Sequence, residues 1–253
     1  GQTKTERKDM KSTNVIISSC VAIAMLSSPA MGEGDEKSTT LTAGTTLTDG
    51  NTETMQANAS LVAKQAREGE GSLRYGVEGN YGENTVDSVS KTTAQNAKAF
   101  GNVKKTLSET TFCYTDASVL YDDIALIDYR ATVGPGLGKY LVKSDTQKCF
   151  VEAGIAYVWQ DVANVKDDFV ALRVAERLEL ALSETANVWQ SAEYVPEAED
   201  LANYLVNLGL GIEAAMNASM NLRLVLQDRY DSEPGIGLKE NDLSLIAGVS
   251  IKL

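Results

Sequence analysis

From about residue 36 onward, apolar and polar side chains alternate one by one in segments of about ten residues, and few folds accommodate that pattern. A strand points successive side chains to opposite faces, whereas a helix groups them three and four apart. In residues 242–253, Leu243, Leu245, Ala247, Val249, Ile251 and Leu253 share one face, opposite Ser244, Gly248, Ser250 and Lys252. Upstream, Met220, Leu222, Leu224 and Leu226 oppose Asn221, Arg223, Gln227 and Arg229, with Val225 breaking the polar set. Residues 201–213 set Tyr204, Val206, Leu208, Leu210 and Ile212 against Asn203, Asn207, Gly209, Gly211 and Glu213. Residues 149–160 set Val151, Ala153, Ile155, Tyr157 and Trp159 against Glu152, Gly154 and Gln160.

Twelve such segments begin near Ser38, Thr52, Ser72, Thr92, Thr111, Asp128, Lys148, Phe169, Ala186, Leu201, Ser219 and Asn241. Every second connection is short and turn-like, as at Glu68 to Gly71, Leu107 to Glu109, Ser144 to Gln147, Ser183 to Thr185 and Met216 to Ala218; the others are expected to be longer. A soluble β-sandwich also has alternating strands. Two features favour a membrane barrel instead: charged residues recur opposite the apolar face, and the segments exceed the usual five or six residues. Tyr81, Tyr121, Tyr129, Trp159, Phe169, Tyr194, Tyr204 and Tyr230 flank the longer connections, where an interfacial aromatic girdle belongs. The expected fold is all-β: a closed, antiparallel, up-and-down transmembrane β-barrel of about 12 strands. Glycine runs such as Gly134-Pro135-Gly136-Leu137-Gly138 and Gly209-Leu210-Gly211 fit either a close backbone approach or merely a small inward side chain.

Met10-Lys11-Ser12-Thr13, the apolar run Val15 to Leu26, and Ser27-Ser28-Pro29-Ala30-Met31-Gly32 read together as a secretory signal peptide over residues 10–32. Cleavage after Ala30 or Gly32 suits its small-residue exit. Residues 1–9 read as an upstream extension and residues 33–253 as the barrel. The expected location is the outer membrane of a Gram-negative-type envelope. Expected partners are its lipids and lipopolysaccharide, and the barrel assembly machinery during insertion.

The chain contains no histidine, which removes the commonest general base and the imidazole of Ser-His and Cys-His arrangements. Catalysis is therefore not expected, and no cofactor is implied. A formal net charge of -12, without a basic stripe, argues against nucleic acid. Acidic groups such as Asp122-Asp123, Asp161 with Asp167-Asp168, and Glu197 with Glu199-Asp200 cluster at the expected rim, without the ligand spacing of a calcium loop. Cys113 and Cys149 fall in the fifth and seventh segments, so an intervening strand should hold them about 10 Å apart, beyond disulfide reach.

If the apolar faces meet lipid, Arg130, Glu152, Arg173, Arg177, Asn203, Glu213, Arg223 and Lys252 line the lumen. Such a mixed-charge interior suits a narrow channel for small solutes or ions. It equally suits a non-conducting structural or envelope-stress barrel whose lumen is salt-bridged shut.

Four further stretches stand out: Gly50-Asn51-Thr52-Glu53-Thr54, Asp128-Tyr129-Arg130 leading to Gly134, Gly136, Gly138 and Tyr140, Val151-Glu152-Ala153-Gly154, and Tyr230-Asp231-Ser232-Glu233-Pro234. Together they resemble a family of bacterial outer-membrane proteins called salt-induced outer membrane proteins, or YdiY-like. The resemblance runs over roughly residues 45 to 253 and implies fold and location; it carries no site residues across. Members typically end in an aromatic residue, where this chain reads Ile251-Lys252-Leu253.

Overall fold

The computed structural model describes residues 35–48, 53–67, 69–86, 89–235 and 237–253. The signal-peptide reading lies outside them. The described chain is a succession of strands: β1 (Asp35–Thr48), β2 (Glu53–Arg67), β3 (Gly71–Val86), β4 (Val89–Thr106), β5 (Thr111–Asp122) and β6 (Ile127–Lys143). It continues with β7 (Gln147–Val162), β8 (Val165–Ala181), β9 (Ala186–Pro196), β10 (Tyr204–Ala215), β11 (Met220–Asp231) and β12 (Asn241–Lys252). Each pairs antiparallel with its sequence neighbour, and β1 pairs with β12 to close a twelve-stranded barrel. The closing seam is short: register runs only from Thr40↔Lys252 to Ala43↔Val249, whereas β2 and β3 pair along their whole length.

Alternation decides which side chain meets what. On β10, Leu208, Leu210 and Ile212 point away from the lumen and are exposed, Leu210 by 49%. On β11, Leu222, Leu224 and Leu226 do the same, and on β12 Leu243, Leu245 and Ile251. The inward positions between them carry Asn207, Glu213, Arg223, Gln227, Arg229, Ser244 and Ser250. This inverts the pattern of a water-soluble barrel, whose apolar side chains fill the interior. From Leu243 to Ile251 the chain advances eight residues. At about 3.3 Å per residue and a tilt of about 40°, that climbs roughly 20 Å, close to the height of a lipid-facing band.

The outward face has a polar exception at Glu176, which accepts a hydrogen bond from Gln190 of the neighbouring strand. The inward face has an apolar one toward the far end of β7 to β10. There Ala156, Val158, Ala171 and Val195 are buried together, with Phe169 and Leu205 packed against them. Phe169 is therefore not part of an outward girdle. It shares the parity of Arg173 and Arg177 on β8 and faces inward with them, whereas Tyr121, Tyr129, Trp159 and Tyr194 are outward and exposed.

The barrel's two ends differ less than the sequence pattern suggests. At one end lie the turns at 69–70, 107–110, 144–146, 182–185 and 216–219. At the other, 197–203 and 232–240 are the long connections among the described residues, while β7 and β8 are joined through Ala163 and Asn164 alone, both at positive φ. Extra length has gone into the strands instead, up to 18 residues in β4. The two ends are called below the turn end and the loop end.

Candidate lumen site

Arg130, Glu152, Arg173, Arg177, Glu213 and Arg223 all stand on inward positions, and Lys252 is inward at the turn end of β12. Asn203 does not join them: β10 begins at Tyr204, leaving Asn203 in the preceding connection, where its Nδ2 donates to Glu197 Oε2 at 2.9 Å.

The inward side chains form three tiers. In the middle, Glu152 is nearly enclosed, its side chain 5% exposed, and its two oxygens divide between Lys104 Nζ at 2.6 Å and an Arg173 Nη1 at 3.0 Å. Arg173 also reaches Glu193 Oε1 at 2.6 Å and Asp116 Oδ2 at 3.4 Å. Asn102 donates to Asp116 and Asn207 to Glu193, so the network joins side chains from β4, β5, β7, β8, β9 and β10. Carboxylates with several donors and an arginine with several acceptors satisfy the requirement that ions withdrawn from bulk water be paired and hydrogen-bonded.

Aromatic rings support this tier from below. Lys104 Nζ lies 3.9 Å from the centre of the Phe150 ring and 4.6 Å from that of Phe112, and Arg173 sits 5.0 Å over Tyr114. Phe112, Tyr140 and Phe150 pack mutually with centroids 5.1–5.9 Å apart. These bulky inward rings fit because glycine stands opposite. Phe112 pairs in register with Gly138 and Tyr114 with Gly136, and a Cβ on either glycine would collide with the ring. Trp189 lies the same way over Gly211, its register partner. Gly136, Gly138 and Gly211 are thus small inward positions, as one of the two readings of the glycine runs had it, and what approaches each closely is an inward ring.

At the loop end, ion pairs cross the lumen. Arg130 on β6 reaches Gln160 Oε1 at 2.7 Å and, on β11, Asp231 Oδ2 at 2.8 Å. Arg229 on β11 pairs with the buried Asp122 of β5 at 3.4 Å. In a ring of twelve, β5 and β11 are diametrically opposed. A circular twelve-stranded wall would be about 24 Å across between Cα atoms. An arginine and an aspartate cannot jointly cover that span, so the walls close in here. The 232–240 connection follows the same path: a Cβ placed on Gly235 would lie 3.5 Å from Ala163 Cβ and 3.7 Å from Leu126 Cδ1, on connections across the mouth.

At the turn end, Arg177 Nε donates to Glu179 Oε1 at 2.7 Å and lies 4.6 Å over the Trp189 ring. Arg223 faces Glu213 across a strand pair at 3.2 Å, and Arg74 lies 4.6 Å over the Phe100 ring.

Sequence reading missed Lys104, Asp116, Glu193 and Arg74 as lumen groups. On β4 the outward face is Ala97, Ala99, Gly101 and Val103 while inward positions include Phe100, so the hydrophobic contrast that reveals β10 to β12 is nearly inverted. Cys113 and Cys149 are both unpaired, on the outward face of β5 and β7 with β6 between. Among the described residues, no group of three or more Cys, Asp or Glu side chains is arranged to hold a metal ion.

The family model described as "Protein of unknown function, DUF481" matches residues 41–252, all twelve strands. The chain belongs to that family. No curated protein sequence matches it. Among solved structures, the NanC porin superposes with a TM-score of 0.51 at 10% identity, over 85% of this chain and 100% of that one. The KdgM porin in complex with disordered oligogalacturonate gives 0.45 at 7% identity, over 85% and 98%. The translocator domain of the autotransporter NalP from Neisseria meningitidis gives 0.45 at 12% identity, over 88% and 90%. At 10% identity, the likeness to the NanC porin concerns the fold of this DUF481 member alone.

Proposed function

We propose that this protein is an integral outer-membrane barrel forming a narrow channel for small solutes or ions. Its relation to salt-induced outer-membrane proteins, suggested by the residues quoted above, is part of the same proposal. The membrane placement is supported by the exposed apolar outward face, which would be costly in water and matches a bilayer in height. The loop end then faces outside and the turn end faces the periplasm. The protein would contact outer-membrane lipids and lipopolysaccharide and depend on the assembly machinery, without catalysis or a cofactor.

The observation that carries the channel reading is the state of the inward charges. Lys64, Arg74 and Lys148 stand on inward positions near the turn end and remain exposed, which supports a solvated rather than a sealed lumen there. A second reading has its own support. The Arg229–Asp122 and Arg130–Asp231 pairs tie opposed walls together at the loop end, as a non-conducting structural barrel would require. Planar-bilayer recording separates the two. The channel reading expects reproducible single-channel steps from folded barrel; persistent silence of barrel verified by heat-modifiable gel mobility would leave the structural reading.

A further inference from the structure

Lys139 and Glu176 interrupt the apolar outward face on neighbouring parts of the wall. Lys139 projects from β6 between the exposed Leu137 and Leu141, and Glu176 from β8 between Val174 and Leu178. Both belong to one row across the sheet, because Thr111, Lys139, Val151 and Glu176 are successive register partners on β5 to β8. Neighbouring strands lie about 4.8 Å apart, so the two charged residues leave the wall about 10 Å from each other. Along β6 the outward run from Tyr129 to Leu137 climbs about 20 Å, which sets this row at the turn-side edge of the lipid-facing band. Leu141 and Leu178 follow on the turn side, so the charges stand at headgroup depth rather than in open water. An ionisable group there calls for a partner. Within the chain, Glu176 accepts a hydrogen bond from the neutral amide of Gln190 on β9, the side away from Lys139.

The same part of the wall has room. A hollow of about 360 Å³ is lined by Thr111, Leu137, Lys139, Val151, Ala153 and Val174, together with Gly138 and Glu152. The first six are outward positions, so the hollow opens on the lipid side. Its cause is local: Leu137, Ala153 and Val174 are register partners in one row, and the small Ala153 leaves a dip between two larger side chains. This apolar row lies one step closer to the middle of the band than the charged row. Lys139 and Thr111, a cation and a hydroxyl in register, therefore stand at the turn-side mouth of the hollow, with Glu176 at its flank beside Val151. Charge at the membrane edge with an apolar trough leading inward matches a lipid of the turn-side leaflet, headgroup at the edge and acyl chain toward the middle.

We propose that this outward groove on β5 to β8 binds a phospholipid of the turn-side leaflet that carries a zwitterionic, amine-bearing headgroup. Lys139 and Thr111 take the phosphate, Glu176 takes the ammonium, and Leu137, Ala153 and Val174 seat an acyl chain. Hydrogen bonds to charged groups are the strong ones a headgroup can make. A lysine alone would favour an anionic lipid; a cation and a carboxylate flanking one hollow complement a headgroup with both signs. The site rests on the membrane placement proposed above, not on conduction through the lumen.

The test is native mass spectrometry of the full barrel folded in a maltoside detergent, with phosphatidylethanolamine or, separately, phosphatidylglycerol added. Wild type should retain phosphatidylethanolamine and hold phosphatidylglycerol more weakly. Lys139→Gln should weaken phosphatidylethanolamine binding about tenfold, the loss of a charge-assisted contact, and Glu176→Gln should abolish the preference over phosphatidylglycerol. Ala153→Leu, which fills the dip and stays apolar, should weaken both lipids. Lys166→Gln, on the outward face of β8 at the loop end, should change nothing. Heat-modifiable mobility verifies that each variant is folded, and the wild-type comparison of the two lipids stands even if a variant is not. Folded wild type that retains neither lipid overturns the site, as does binding that Lys139→Gln and Ala153→Leu both leave intact. Equal retention of the two lipids overturns the amine-bearing headgroup. Barrel that needs detergent to stay in solution yet keeps no phosphatidylethanolamine would remove the site and leave the membrane placement. Barrel soluble and folded without detergent would remove both.

Discussion

Replacing Glu152 with Gln tests the middle tier of the lumen, because the change removes a charge while keeping the side chain's shape. Two cations lose a partner: Lys104 at 2.6 Å and Arg173 at 3.0 Å. Breaking a buried ion pair from one side typically costs about 3–5 kcal/mol. Arg173 keeps Glu193 at 2.6 Å and Asp116 at 3.4 Å, so its share of that cost is small. Lys104 loses its ion pair and keeps the neutral Gln carbonyl, the more distant charge of Asp116 and the Phe112 and Phe150 ring faces, of which the cation–π contact recovers about 0.5–2 kcal/mol. The net expectation is a loss of about 2–3 kcal/mol, nearly all of it traceable to Lys104. Adding Lys104→Met removes the stranded cation, so the double variant should be more stable than the sum of the singles by about 1–2 kcal/mol. The assay is reversible urea unfolding of barrel in lipid vesicles, followed by the fluorescence of Trp159 and Trp189. Glu152→Gln within about 0.5 kcal/mol of wild type, or strict additivity in the double variant, would refute the reasoning.

Two further perturbations follow from the same geometry. Gly138→Val should evict the Phe112 ring and cost about 1–3 kcal/mol in that unfolding assay, while Gly101→Ala, where an added Cβ meets nothing within 4 Å, should be neutral. On the channel reading, Arg229→Gln combined with Arg130→Gln unties the opposed walls at the loop end, so single-channel conductance should rise; unchanged conductance would mean that these pairs do not obstruct the path.

Strand order was legible because the outward residues of β7, β10, β11 and β12 are large and apolar while their neighbours are polar. The predicted start at Thr111 is where β5 begins, and the starts at Ala186 and Asn241 are where β9 and β12 begin. The pattern weakened wherever an inward residue was aromatic. Phe100, Phe112, Tyr114, Phe150 and Trp189 look greasy in sequence yet face the lumen, and the clue to three of them lies on the partner strand, where Gly138, Gly136 and Gly211 make room. A single strand read alone cannot show such a partner. Connection lengths were misjudged for a related reason: alternation says where a strand is apolar, not how far its hydrogen-bonded ladder continues. β8 thus starts at Val165, ahead of the apolar stretch that begins near Phe169. The ion pairs across the loop end link β5 and β6 to β11, residues more than 100 apart in sequence, Arg130 and Asp231 by 101, and only closure of the barrel brings them together.

The central claim is that one face of each strand meets hydrocarbon and the other a charged lumen, and cysteine scanning along β10 tests it most directly. Single cysteines from Tyr204 to Ala215, in a cysteine-free background reconstituted in lipid vesicles, would carry a nitroxide whose relaxation by dissolved oxygen and by a water-soluble nickel chelate is compared. The account predicts strict alternation: Leu208, Leu210 and Ile212 oxygen-accessible, Asn207, Gly209 and Glu213 not. Equal nickel access at both sets, in protein that is folded without detergent or lipid, would contradict it.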